Sequence, residues 1–71
     1  MMPAELTDRQ WEIAQLIAQA ATSKQIAHAL GMTDGNVERH VCNIAKLLKL
    51  DSSRNLRIQI ARVVWTHKRA A

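Results

Sequence analysis

Apolar residues recur at helical spacings along four stretches of the chain. In the first, Ile13, Leu16, Ile17 and Ala20 follow one another at intervals of three, one and three residues. Thr7 and Gln10 fit the S/T-x-x-E/Q capping box, with Leu6 placed just before it, so a first helix is predicted over residues 7–20. Trp11, one turn in, reads as core or rim packing. Ala21-Thr22-Ser23 interrupts the pattern, and Thr22 or Ser23 can cap a second helix over 23–30 with Ile26, Ala27 and Leu30 inward. Gly31 suits the left-handed residue that ends a helix, Met32 is expected to turn back into the core, and Thr33 is the next cap.

A third helix is predicted over 34–48. Val37, Val41, Ile44 and Leu48 fall within about 60° of arc at 100° per residue, a narrow inward stripe. The opposite arc holds Gly35, Arg39, Cys42 and Lys46, flanked by Glu38 and Asn43. After a connection over 49–53, a fourth helix is predicted over 54–67, with Leu56, Ile60 and Val63 or Val64 as its stripe. Ile58, Ala61 and Trp65 lie off that stripe, as in a helix that packs on the core and on a partner at once.

Composition agrees with an all-helical reading. Hydrophobic residues make up 48% of the chain, Gly numbers two, Pro one, and Tyr and Phe are absent. Strand-rich folds want aromatics and frequent turns. An RNA-binding sheet needs stacking aromatics, and only Trp11 and Trp65 are present. At 71 residues the chain is one domain over 1–71, with 1–5 expected as a flexible N-terminus and 68–71 as a basic C-terminal tail. A domain this short buries only roughly 60% of its unfolded surface, so regular helix packing or a partner must help. Cys42 is the single cysteine, which excludes an internal disulfide and a Cys-rich zinc site. No apolar run approaches the ~20 residues of a membrane span, and Met1-Met2-Pro3-Ala4-Glu5 carries no secretory signal. The expectation is a soluble cytoplasmic domain with no membrane partner, no cofactor and no small-molecule ligand.

Charge sharpens the picture. The net charge is +4, but it is unevenly placed. Residues 1–35 hold Arg9 and Lys24 against Glu5, Asp8, Glu12 and Asp34. Residues 36–71 hold Arg39, Lys46, Lys49, Arg54, Arg57, Arg62, Lys68 and Arg69 against Glu38 and Asp51. Such asymmetry suits one face turned toward a polyanion, although a solvated helix surface would look similar.

Two short helices joined by a Gly-containing turn form a helix-turn-helix pattern. Counted from Ser23, the fifth residue, Ala27, is small where two helices cross. The ninth, Gly31, tolerates a left-handed backbone, and the fifteenth, Val37, seals the second helix on the first. Caps are expected at Ser23 and Thr33.

Leu6-Thr7-x-Arg9-Gln10-x-Glu12-Ile13, Lys24-Gln25-Ile26-Ala27-x-x-Leu30-x-Met32-Thr33, Asn36-Val37-x-x-His40 and Asn43-Ile44 together resemble the LuxR-type, or GerE-type, DNA-binding domain. The resemblance covers about residues 6–65 in order. It implies a four-helix fold whose third helix lies in the DNA major groove, a homodimer through the fourth, and a bacterial or phage transcription regulator that is not an enzyme. It implies phosphate contacts from Lys24, Thr33, Val37, His40, Lys46 and Arg54. Base-reading candidates are Asn36, Glu38, Arg39, Cys42 and Asn43, with Arg39 the choice for a guanine contact that discriminates by roughly 1–3 kcal/mol. Dimer-interface candidates are Leu56, Ile58, Ile60, Ala61, Val64 and Trp65.

This sequence departs from the family pattern in four places. Glu38 stands where a lysine is usual, either to accept from a cytosine amino group or to repel phosphate. Ala20 replaces a glycine, so the first helix is expected to run longer. Leu47 replaces a lysine, which points to burial on a further side of the third helix. The 49–53 link reads one residue long, so Arg54 is placed only approximately.

An alternative is a protein-interaction module that pairs with another transcription regulator or with RNA polymerase and binds DNA weakly; Glu38 and the apolar fourth helix favour it. A sigma-factor region-four domain opens with a similar Leu-Thr-x-Arg-Gln run, but His40 and Asn43-Ile44 favour the LuxR type. His28, His40 and His67 lie on different helices, with His28 and His67 expected at the surface. His40 and Cys42, two residues apart on a helix, point in different directions, so no metal site is expected. The chain is expected to be either a small regulator controlled by its own concentration or the C-terminal part of a larger protein, with Met1 leaning toward the first.

Overall fold

A computed structural model describes residues 6–51 and 53–70 of the chain, with backbone alone for 68–70. The expected N-terminal segment 1–5 lies outside the described residues. Four helices follow in order: α1 Asp8–Ala18, α2 Ser23–Leu30, α3 Asp34–Leu47 and α4 Leu56–Ala70. No strand occurs among the described residues. The fold is all-α, as the periodicity predicts.

Each helix begins on a side-chain cap that satisfies otherwise orphaned backbone N–H groups. Thr7 Oγ1 accepts from Gln10 N at 3.2 Å while Gln10 Oε1 accepts from Thr7 N at 2.9 Å, which is the expected capping box. α2 opens on a second box, Thr22 with Gln25, at 3.1 and 2.8 Å. Thr22 is therefore the cap, and Ser23, expected as the cap in the helix-turn-helix count, is the first helical residue. Thr33 caps α3 through Asn36 N at 3.1 Å.

Three helix ends share one device. Ala20, Gly31 and Lys49 all take left-handed φ values, of 65°, 66° and 56°. In each case the next N–H, on Ala21, Met32 or Leu50, donates five residues back into the last turn, to Leu16, Ala27 or Ala45. Gly31 was foreseeable. Ala20 corrects the expectation of a longer first helix: α1 stops at Ala18 because the chain takes the left-handed turn despite the Cβ of Ala20.

α4 starts at Leu56, two residues later than predicted, and runs to Ala70 rather than His67, so the expected tail is largely its final turn. The late start has a local cause. Asp51 Oδ1 accepts from Ser53 N at 3.0 Å, and Arg54 N donates to Asp51 O at 3.2 Å, which folds the link into a turn. Asn55 Oδ1 then accepts from Arg57 N and Ile58 N at 3.0 and 3.3 Å and caps the helix. Gln59 straps the link down, exchanging hydrogen bonds of 3.0 and 2.8 Å with the Asp51 backbone.

The core joins Leu6, Ile13, Ala14 and Ile17 to Ile26 and Ala27, to Val37, Val41 and Ile44, and to Ile60 and Val64. Burial of each large side chain stabilises by about 1.5–3 kcal/mol. α1 packs on α4 and α3, while α3 also packs on α2 and α4. Trp11 lies against the core, with its ring edge-on to His67 at 6.3 Å, so His67 is half-buried rather than at the surface. Leu47 is 42% exposed, against the expected extra burial, because it lies off the Val37–Val41–Ile44 stripe at the end of α3.

Candidate nucleic-acid interface

The helix-turn-helix unit is built as the spacing requires. Ala27 and Val37 are 4% and 0% exposed where α2 meets α3, and Gly31 turns the chain between them. This packing fixes the outward face of α3. Gly35, Arg39, Cys42 and Lys46 are all exposed along it, with Asn36 and Asn43 exposed beside them. Lys24 is exposed in the first turn of α2, and Thr33 is exposed at the start of α3. Arg54 stands in the turn before α4, its Nε 3.5 Å from Asp51. Among the described residues, no group of three His, Cys, Asp or Glu could hold a metal ion.

The profile of GerE, the bacterial regulatory proteins of the luxR family, matches residues 4–63. The chain belongs to the luxR family. The nitrate/nitrite response regulator protein NarL of Escherichia coli K12 is 39% identical over 64 residues, covering 90% of this chain and 27% of that protein. The response regulatory protein YgeK of the same strain is 46% identical over 48 residues, covering 68% of this chain and 33% of that protein. The chain therefore spans about a quarter to a third of the length of these curated relatives. No solved structure matches it significantly. Membership of the luxR family places the domain among DNA-binding transcription regulators, which are not enzymes.

Within this luxR-family domain, several expected contact residues sit differently from the sequence reading. Val37 is fully buried and its N–H donates to Thr33 O at 3.1 Å, so neither its side chain nor its amide is free for phosphate. His40 is half-buried, and its Nδ1 is buried with no hydrogen-bond partner among the described residues. Glu38 does not stand free beside the α3 face. Its Oε1 accepts from Arg57 Nη2 of α4 at 2.9 Å and from Ser23 Oγ of α2, and Arg57 Nη2 also donates to Ser23 Oγ. The Ser23 hydroxyl, and then the Arg57 guanidinium, hold the Glu38 carboxyl below its ordinary value. The tie engages Oε1 alone, and the Glu38 side chain is 58% exposed.

The dimer candidates also divide. Ile60 and Val64 are 0% exposed, and Leu56 is half-buried against the core, so these three belong to the monomer's packing. Ile58 and Trp65 are 53% and 54% exposed, with half-buried Ala61 between them. They border a groove of about 580 Å³ whose other wall includes Ile17 and Ala21, with Glu38 and Arg57 also among its lining residues. Arg57 carries no local sequence signal for this tie, because its partner lies nineteen positions away on another helix. No helix among the described residues is long and apolar enough to cross a membrane.

Proposed function

We propose that this domain is a sequence-reading regulator of transcription that lays α3 in the major groove of double-stranded DNA and pairs with a second copy through α4. The observation that carries the reading is the polar and basic outer face of α3, Arg39, Cys42, Asn43 and Lys46, backed by a fully buried stripe. A helix held this way can present side chains to base edges without losing its own packing.

Arg39 reads guanine through its two-pronged donor set, with Asn36, Cys42 and Asn43 as neighbours on the bases. Lys24, Thr33, Lys46 and Arg54 set the register on phosphates; Thr33 keeps a hydroxyl proton to donate, and His40 contributes through Nε2. Ile58, Ala61 and Trp65 form the dimer seam, which supplies a second reading helix for an inverted repeat. Acting on chromosomal DNA, the domain works in the bacterial cytoplasm.

The test is duplex binding across a salt titration, for the wild type and Arg39→Ala. The expected outcome is a steep salt dependence for both, with Arg39→Ala losing about 1–3 kcal/mol of preference for one base position. Weak, salt-insensitive binding would transfer the function to the second reading, an interaction module. The exposed Ile58 and Trp65 favour that reading's partner, another regulator or RNA polymerase.

A further inference from the structure

Glu38 brings three helices to one point. Ser23 is the first residue of α2, fixed by the Thr22 cap; Glu38 lies in the second turn of α3; Arg57 is the second residue of α4, fixed by the Asn55 cap. A single carboxylate oxygen takes both the serine hydroxyl and the guanidinium. The Arg57 side chain is 31% exposed and that of Glu38 58%. Such an ion pair contributes little to stability. Its position relative to the reading face is the more telling fact. Glu38 precedes Arg39 directly and lies one turn before Cys42, about 40° from it around the α3 axis. An untied carboxylate there would swing at the edge of the DNA-facing surface, within a Debye length of the phosphates.

We propose that Arg57 is a positioning residue for DNA binding: it acts through Glu38, drawing the carboxylate back toward α2 and α4 and cancelling its charge, so that the α3 face meets phosphate unopposed. The proposal rests on the DNA-binding reading above. It turns the departure at Glu38 from a loss of a basic contact into a paired substitution, in which the charge missing from α3 is supplied from α4. Arg57 in this role touches no DNA.

The experiment is a double-mutant cycle in the full chain: wild type, Arg57→Ala, Glu38→Gln and the double variant, each checked for helicity and melting temperature by circular dichroism. Affinity for a random duplex and for a preferred duplex is read by fluorescence anisotropy. Arg57→Ala should weaken binding by about tenfold on both duplexes, because a bare carboxylate repels any sequence alike. Glu38→Gln should bind at least as tightly as the wild type. The double variant should recover to within about threefold of Glu38→Gln, since nothing is left for Arg57 to neutralise. A double variant as weak as Arg57→Ala, with the salt slope reduced by about one unit in both, would make Arg57 a phosphate contact and overturn the proposal.

Glu38→Asp tests the same device with Arg57 intact, because the shorter side chain keeps the charge but cannot span to α4. It should bind more weakly than Glu38→Gln on both duplexes; equal binding also overturns the proposal. If neither the wild type nor any variant binds duplex DNA, the DNA reading falls and the device falls with it.

Discussion

α3 and α4 solve the same packing problem and then diverge. Val37, Val41 and Ile44 on one, and Ile60 and Val64 on the other, are buried to 4% exposure or less. Turned outward, α3 shows Arg39, Cys42, Asn43 and Lys46, whereas α4 shows Ile58 and Trp65, each more than half exposed. The inner stripes are interchangeable in kind, since both are aliphatic and both are sealed. The outer faces are not. A half-exposed tryptophan leaves much apolar area uncovered in the monomer, and nothing in the monomer's packing calls for an arginine and a lysine at helical spacing. The fold is thus specified by one side of each helix, and under the proposed function the other sides select the partners: a polyanion for α3, an apolar surface for α4.

The largest effects should come from the sides that match. Ile44→Ala and Ile60→Ala should each destabilise by about 2–5 kcal/mol in urea denaturation, by similar amounts. A much smaller cost at Ile60 would demote α4 from the core and break the comparison. Next come the sides that differ, and here the effects should separate. Arg39→Ala should remove base discrimination and leave self-association unchanged. Trp65→Ala should weaken self-association by about tenfold or more in sedimentation equilibrium, as loss of a central aromatic anchor does, and leave the base preference on a single half-site unchanged. If both substitutions moved both readouts, the two faces would be one surface. The smallest effect concerns the point where the helices meet. The Glu38 carboxyl is held below its ordinary value of 4.5. Its contribution to stability is therefore present above the unfolded value and lost as pH falls through the folded one. Glu38→Gln should flatten that acid limb slightly, and melting temperature against pH reads the change.

Most of this architecture can be read from one strand of letters, for identifiable reasons. Periodicity exposes the buried stripes because burial forces repetition every three or four residues. Thr7 with Gln10, and Gly31, announce helix ends because local chemistry alone satisfies them. Ala20 and Lys49 hide the same left-handed turn as Gly31, since there the hydrogen bonds to Leu16 and Ala45 override the residue's own preference. The outer face of α3 was legible as an arc, and its exposure follows the arc. The Glu38–Arg57 tie was not, because it depends on the angle at which two helices cross, which no spacing along one helix records. Ile60 and Val64 show the converse: apolar character predicts burial but does not say whether the covering surface belongs to the same chain.

The pairing of α1 with α4 has a consequence for how the molecule comes together. The helices farthest apart in sequence are neighbours, and Trp11 meets His67 across that seam. α2 and α3, by contrast, are adjacent both in sequence and in space. Closing a long loop costs entropy before any contact returns it, so α2 on α3 is the low-cost local contact and α4 on α1 the one that closes the longest loop. A chain whose α4 is still in the ribosome therefore has the side of α1 that meets α4 uncovered, while the side that meets α3 can already pack. The last helix of the chain thus closes on its first, and the two ends of the domain hold each other in place.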